Sequence, residues 1–135
     1  MEKLSGKKIN TAVFISGRGS NLNSLIKHNK KKNSIFSIIL VVSSNPNAKG
    51  IIYAKRSKIK TYISDFKNKN ISEKKILKKM FNYEVKLICL AGFMKVLSKN
   101  FIKKFKNPIL NIHPSLLPKY KGLNTHKRII KNKEK

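Results

Sequence analysis

Asn111 and His113 are the two side chains whose types and spacing are best suited to catalysis. They stand in the segment LNIHPSLLP (residues 110–118), where an apolar run meets two prolines. Residues two apart in a strand point to the same face, so the pair would project together from a strand end. An amide N–H can hold a developing oxyanion, and an imidazole can move a proton near neutral pH. A structural polar pair is the alternative interpretation.

A glycine-rich turn, SGRGSN (residues 16–21), joins an apolar run to residues with helical spacing. Glycines let the backbone turn tightly and expose its N–H groups, and a helix N-terminus adds partial positive charge, so such a turn can bind an anion. The pattern lacks the third glycine of the dinucleotide fingerprint and the Gly-Lys-Ser/Thr ending of a P-loop. A single phosphate therefore fits better than a pyrophosphate, and a simple tight turn is the alternative.

Short apolar runs alternate with segments of helical periodicity along the whole chain. We predict strands over residues 9–15, 35–42, 60–63, 85–91 and 109–112. We predict helices from 22, over 48–58, after Asn70 and over 97–105, and one more from 125. Asn70 and Glu73 resemble a capping box that would open the third of these helices.

Five alternations of strand and helix predict an α/β fold: a Rossmann-like, doubly wound, mostly parallel sheet with helices on both faces. No linker or internal repeat divides the chain, so residues 1–135 are expected to form a single domain. Ligands of such sheets bind at the carboxyl ends of the strands. Three polar clusters fall there, at residues 16–21, 92–95 and 111–113.

The 32 basic residues outnumber the 5 acidic ones and give a formal net charge of +27. Of the basic residues 29 are lysine, and they are spread along the chain without the interleaved aromatic residues that a base-stacking surface requires. We therefore expect a solvated lysine surface and no specific nucleic-acid partner. The positive field would still favour anionic small molecules in any cleft.

The cysteine count and the apolar runs bear on the cellular compartment. A single cysteine cannot form an internal disulfide, and no apolar run reaches the roughly 18 residues of a membrane-spanning helix. The first eight residues also lack the apolar segment of a signal peptide. We expect a cytoplasmic protein without a membrane partner.

Taken together, the motifs resemble those of a known family. The matching pieces are ISGRGSNL (15–22), LAGFM (90–94) and LNIHPSLLPKY (110–120), continued by Gly122-Leu123 and Thr125-His126. In order and approximate spacing the chain is similar to the phosphoribosylglycinamide formyltransferases of de novo purine synthesis. The resemblance covers nearly the whole chain, although Lys95, Lys121 and Asn124 stand where the family more usually has arginine, proline and histidine.

The resemblance implies a reaction and a set of ligands. A formyl group would pass from 10-formyltetrahydrofolate to the amine of glycinamide ribonucleotide, with no metal, and the partners would be these small molecules alone. Asn111 would bind the formyl oxygen and steady the tetrahedral intermediate. His113 would act as the general acid and base while the amine attacks. The oligomeric state is not indicated.

Two groups of binding residues also follow from the resemblance. The phosphate of glycinamide ribonucleotide would be held by Gly19, Ser20 and Asn21. The pterin end of the folate would be contacted, largely through backbone, by Met94, Lys95, Val96 and Leu97. Lys69 stands near the place where the family has a basic residue directed towards the folate tail.

The family runs roughly a third longer and supplies its final strands and a catalytic aspartate beyond the Thr-His segment. We therefore expect the sequence to be the first two thirds of the family fold, incomplete at the C-terminus, and the 135 residues alone to be inactive. Two alternatives stay open on the sequence: an enzyme like methionyl-tRNA formyltransferase, and a non-catalytic remnant that still binds a phosphate ligand.

Overall fold

The structure of the chain, a computed structural model, describes residues 8–112. Five strands alternate with four helices in this part of the chain, which confirms the predicted α/β class. In order they are β1 (Ile9–Ile15), α1 (Ser20–Asn29), β2 (Phe36–Ser43), α2 (Gly50–Arg56), β3 (Lys60–Ile63), α3 (Lys69–Asn82), β4 (Leu87–Leu90), α4 (Lys99–Phe105) and β5 (Ile109–Asn111). The helix predicted from residue 125 lies outside the described residues.

The strands form one parallel sheet in the order β3-β2-β1-β4-β5. β1 is therefore the central strand, paired with β2 on one edge and β4 on the other. From β1 the chain builds outward through β2 to β3, and then crosses back so that β4 and β5 lie on the other side. The direction of strand addition thus reverses beside β1, and in open α/β sheets ligands bind next to such a reversal, outside the carboxyl ends of the strands.

Each face of the sheet is covered by its own apolar core. One face packs against α3 and α4 through a cluster that includes Phe14, Leu90, Ile76, Met80 and Phe101. The other face packs against α1 and α2 through a cluster that includes Val13, Ile15, Leu22, Ile26 and Ala54. Burial on both faces explains why the central strands read as continuous apolar runs in the sequence rather than as an alternating pattern.

The beginning of α3 differs from the sequence prediction. The N-cap residue is Asn68, whose side chain accepts a hydrogen bond from the Ile71 backbone N–H at 3.1 Å. The predicted capping box of Asn70 and Glu73 is therefore wrong. Asn68 comes first along the chain and already satisfies the helix end, and the Glu73 carboxylate is used in a tertiary contact described below.

The predicted lysine surface is present in the described part of the chain. Every lysine in residues 8–112 is exposed except Lys79, which is half-buried with its Nζ 4.9 Å from the centroid of the Tyr62 ring. The same residues contain three carboxylates, of which Asp65 and Glu84 are exposed and Glu73 is buried. No helix in residues 8–112 is long and apolar enough to cross a membrane.

The single cysteine of the chain provides a test of this fold. Cys89 lies on β4 with a side chain that is 3% exposed, and burial raises the pKa of its thiol to about 12. Iodoacetamide reacts with the thiolate, so the folded protein should resist alkylation at pH 8 and the denatured protein should react readily. Mass spectrometry of samples quenched with and without urea measures this difference. Rapid labelling without urea would contradict the placement of β4 inside the sheet.

Candidate functional site

The reversal of strand order predicts a crevice beside β1, between the loops that follow β1 and β4. A hydrogen bond joins the two loops across it, since the Met94 backbone N–H donates to Ser16 Oγ at 2.8 Å. Ser16 Oγ also lies 2.5 Å from Ser44 Oγ, in the loop after β2. Three strand ends are thereby tied together at the point where the strand order predicts a ligand. Two of the three polar clusters predicted from the sequence, 16–21 and 92–95, meet here.

The turn after β1 depends on a glycine at residue 19. Gly19 is the N-cap of α1 with φ 78°, a left-handed conformation that costs glycine little and other residues more. It provides no side-chain cap for the helix, so no capping side chain occupies the N–H groups of the first turn of α1. These groups, together with the positive end of the helix dipole, can bind an anion.

A contact between two glycine backbones fixes the position of this turn. A Cβ atom added at Gly19 would lie 2.3 Å from Gly50 Cα, and one added at Gly50 would lie 2.8 Å from Gly19 Cα. The Gly50 N–H also donates to the Gly17 carbonyl at 3.0 Å. The first residue of α2 is therefore packed directly against the turn, and neither glycine has room for a side chain.

The residues predicted to hold a phosphate lie at this helix end in different environments. Ser20, the first residue of α1, is exposed. Asn21 is 8% exposed and belongs mostly to the interior of the turn. The carbonyl of Gly19 is already used, because it accepts the N–H of Asn23 at 2.8 Å.

The loop after β4 is anchored by the side chain of Phe93, and the side chains that follow it are largely exposed. Phe93 packs edge-on against Phe14, with ring centroids 5.3 Å apart, and against Phe66 at 5.6 Å. The side chains of Met94 and Val96 are 80% and 77% exposed. Two large apolar side chains at the surface beside a crevice form a small patch suited to a flat ring.

Two other residues predicted for the folate occupy this loop. The Lys95 side chain is exposed between Met94 and Val96. The Leu97 side chain is instead buried, 8% exposed, in the core beneath α3 and α4. Any contact that Leu97 makes with a ligand must therefore come from its backbone.

Lys69 lies near the same loop although it is distant in sequence. It is the exposed first residue of α3. Residues four apart on a helix share one face, with Cβ atoms about 5–6 Å apart, so Lys69 is a neighbour of Glu73. The Glu73 carboxylate in turn contacts Ser98, where the loop after β4 ends. Lys69 is thus one helical turn from a residue that contacts the end of this loop.

Asn111 is the last residue of β5 and its side chain is exposed. It pairs in register with Leu90, which pairs with Phe14 on β1. With strands about 4.8 Å apart, the Asn111 backbone lies roughly 10 Å from that of Phe14. Because Ile109 faces the core under α3 and α4, Asn111 points to that same side of the sheet, where Phe93 lies. His113 lies outside the described residues.

Sequence reasoning missed several residues that build this site. Ser44 and Gly50 follow β2, and Glu73 and Ser98 join α3 to the loop after β4. A glycine at the start of a helical pattern was an available signal for Gly50. The other contacts join residues 25 or more positions apart, and no local pattern marks them. Residues 8–112 contain no group of three or more His, Cys, Asp or Glu that could hold a metal ion.

Comparison with known proteins gives a consistent result. A sequence model of the family described as formyl transferase matches residues 9–135. The chicken (Gallus gallus) trifunctional purine biosynthetic protein adenosine-3 is 43% identical over 131 residues, which are 95% of this chain and 13% of that protein. The phosphoribosylglycinamide formyltransferase of Haemophilus influenzae is 41% identical over 127 residues, which are 92% of this chain and 59% of that enzyme.

A solved structure resembles the chain over the same region. The crystal structure of phosphoribosylglycinamide formyltransferase from Brucella melitensis superposes with a TM-score of 0.75 at 38% identity. The superposition covers 94% of this chain and 68% of that one. This chain therefore spans 59% of the length of the Haemophilus relative and 13% of the length of the chicken relative.

The glycine contact predicts a difference between two alanine substitutions. Gly50→Ala places a Cβ within 2.8 Å of both Gly19 Cα and Ile15 Cδ1, so the turn or α2 must shift. We expect a loss of about 1–3 kcal/mol in the free energy of unfolding, as for other overpacked sites. Gly17→Ala is the matched control, because a Cβ there has nothing within 4 Å. Urea denaturation measures both, and equal effects would contradict the contact.

The hydrogen bond across the crevice predicts a local change in exchange. Ser16→Ala removes the acceptor of the Met94 N–H, so amide hydrogen exchange at Met94 should become several-fold faster, consistent with a bond of about 1 kcal/mol. Ser24→Ala, at an exposed serine of α1, removes a hydroxyl elsewhere and should leave this amide unchanged. Exchange followed by NMR measures both. An unchanged rate in Ser16→Ala would show that the two loops are not joined.

Proposed function

The chain belongs to the formyl transferase family, and from that premise we propose that it serves the transfer of a formyl group from 10-formyltetrahydrofolate to the amine of glycinamide ribonucleotide, a step of purine biosynthesis. The names of the Haemophilus and Brucella relatives support formyl transfer and this acceptor. Residues 1–135 are proposed to belong to one formyltransferase domain.

One observation carries the proposal: a turn suited to an anion and a loop suited to a flat ring bound the same crevice. The N–H groups of α1 lie on the β1 side, and the exposed Met94 and Val96 lie on the β4 side. The bond from the Met94 N–H to Ser16 Oγ keeps the two sides together. A phosphorylated amine, bound at the α1 N–H groups, and a reduced folate, bound at the loop after β4, can therefore meet in the crevice.

The phosphate of glycinamide ribonucleotide is assigned to Gly19, Ser20 and Asn21. Gly19 contributes backbone that can approach an anion closely, because it carries no Cβ. Ser20 contributes an exposed hydroxyl, and the first-turn N–H groups of α1 contribute donors and partial positive charge. The buried Asn21 acts through its backbone N–H and by holding the turn in shape.

The folate is assigned to the loop after β4. Met94, Lys95, Val96 and Leu97 offer backbone N–H and C=O groups for the polar edge of the pterin, and the exposed apolar side chains cover its ring. Lys69, one helical turn from a residue that contacts the end of this loop, is assigned to the carboxylates of the folate tail.

The chemical step is assigned to Asn111 and His113. The substrate nitrogen forms a bond to the formyl carbon, and the bond from that carbon to the folate nitrogen breaks. Asn111 donates an N–H to the formyl oxygen, where negative charge develops. His113 accepts the proton lost by the amine and returns it to the departing folate nitrogen, so that protons balance over the turnover.

The names of the Haemophilus and Brucella relatives refer to phosphoribosylglycinamide and not to tRNA, so they do not favour the methionyl-tRNA alternative. The exposed lysines would give weak tRNA binding that falls steeply as salt concentration rises. A turnover assay distinguishes the proposed enzyme from a non-catalytic binding protein. A protein that binds glycinamide ribonucleotide but never forms the formylated product would support the non-catalytic alternative.

Substitution of the amide tests the proposed chemistry. Asn111→Ala should lower kcat for formyl transfer by about 10²–10³-fold with little change in ribonucleotide binding, because one oxyanion donor is removed. Asn82→Ala, the same change at the exposed end of α3, is the matched control. The assay follows product formation from 10-formyltetrahydrofolate with the full product of the gene. Wild-type activity in Asn111→Ala would contradict the role of Asn111, and no turnover in the wild type would contradict the reaction.

A further inference from the structure

Glu73 is a buried carboxylate with a specific partner. Its side chain is 5% exposed in a chain whose other described carboxylates are exposed. One carboxylate oxygen accepts the Ser98 backbone N–H at 2.8 Å, and the other accepts the Ser98 hydroxyl at 2.6 Å. Both oxygens are thus directed to a single residue, where the loop after β4 meets α4.

Capping of α4 alone does not explain this arrangement. Ser98 is the N-cap of α4, and its Oγ accepts the Phe101 N–H at 3.0 Å. That bond satisfies the helix end without help from a carboxylate. Glu73 adds control of the serine itself: it fixes the direction of the hydroxyl proton and holds the backbone N–H of Ser98. Burying a carboxylate is costly unless it is well hydrogen-bonded. The two bonds therefore stabilise the buried Glu73 carboxylate as well as fixing Ser98.

The loop between β4 and α4 is consequently held at both ends. At the β4 end, Gly92 turns the chain at φ 75°, Phe93 packs on Phe14, and the Met94 N–H donates to Ser16. At the α4 end, Ser98 is held by Glu73. Between Met94 and Ser98, residues 95 and 96 are exposed and Leu97 is buried, so the presentation of the exposed pair depends on the anchors on either side.

We propose that Glu73 is a positioning residue for folate binding: by holding Ser98, it keeps the loop after β4 in the one conformation that presents its backbone to the formyl donor. The inference rests on the proposed function for the identity of the ligand. It assigns Glu73 no contact with either substrate and no part in the chemical step.

A positioning role predicts an effect on one ligand and not on the other. If loss of Glu73 leaves the loop in its binding conformation only about a tenth of the time, the apparent Kd for the folate rises about tenfold. The phosphate turn after β1 is held separately, by the contact between Gly19 and Gly50. The Kd for glycinamide ribonucleotide should therefore stay within about twofold of wild type.

The experiment measures both affinities by calorimetric titration of the full gene product. The probes are 5-formyltetrahydrofolate, a stable isomer of the donor, and glycinamide ribonucleotide. The variants are Glu73→Gln, which keeps the shape but cannot accept both Ser98 bonds, and Ser98→Ala, which removes the hydroxyl. Ser98→Thr retains the hydroxyl and should preserve folate affinity. Glu84→Gln makes the same charge change at an exposed carboxylate and is the matched control.

The expected result is weaker folate binding in Glu73→Gln and Ser98→Ala, with ribonucleotide binding retained. The loss in the double variant should be smaller than the sum of the two single losses, because both changes affect the bond between the Ser98 hydroxyl and the Glu73 carboxylate. NMR should show altered amide signals at residues 94–96 in the same variants. Unchanged folate affinity, or equal losses for both ligands, would overturn the positioning role. Absence of folate binding in the wild type would instead overturn the proposed function itself.

Discussion

The burial of the central strand is the constraint on which the site depends. Residues 12–15 of β1 have no exposed surface, and both edges of the strand are paired, with β2 and β4. A strand enclosed on two faces and two edges cannot shift without breaking both apolar cores. Its carboxyl end is therefore a fixed point, and the turn through Gly19, the Ser16 hydroxyl and the contact with Met94 all take their positions from it.

The general form of the fold could be predicted because its signals are local. Apolar runs of strand length alternating with helical periodicity specify a parallel sheet, and the rule for ligand sites in such sheets identifies the carboxyl edge. The clusters at 16–21 and 92–95 were found in this way, and the structure brings them together. The assignment of particular ligands to particular residues came instead from the resemblance to a family.

The contacts that hold the site in shape could not be predicted in the same way. Ser16 and Met94 are 78 residues apart, and Glu73 and Ser98 are 25 apart, so their pairing depends on how the helices pack on the sheet. Glu73 also shows how a local rule fails: three residues after an asparagine it matched a capping box, but Asn68 capped the helix and left the carboxylate for a tertiary contact. The alternation of side chains along β5 predicts which face of the sheet Asn111 occupies. His113, its predicted partner, lies outside the described residues.

The ties between the carboxyl-end loops have a consequence for ligand binding. The loop after β1 is bonded to the start of α2 through Gly17 and Gly50, and to the loop after β4 through Ser16 and Met94. The turn after β1 is thus bonded to two neighbouring segments before any ligand arrives. Little conformational entropy of this backbone remains to be lost when a ligand binds, so more of the interaction free energy is available as affinity.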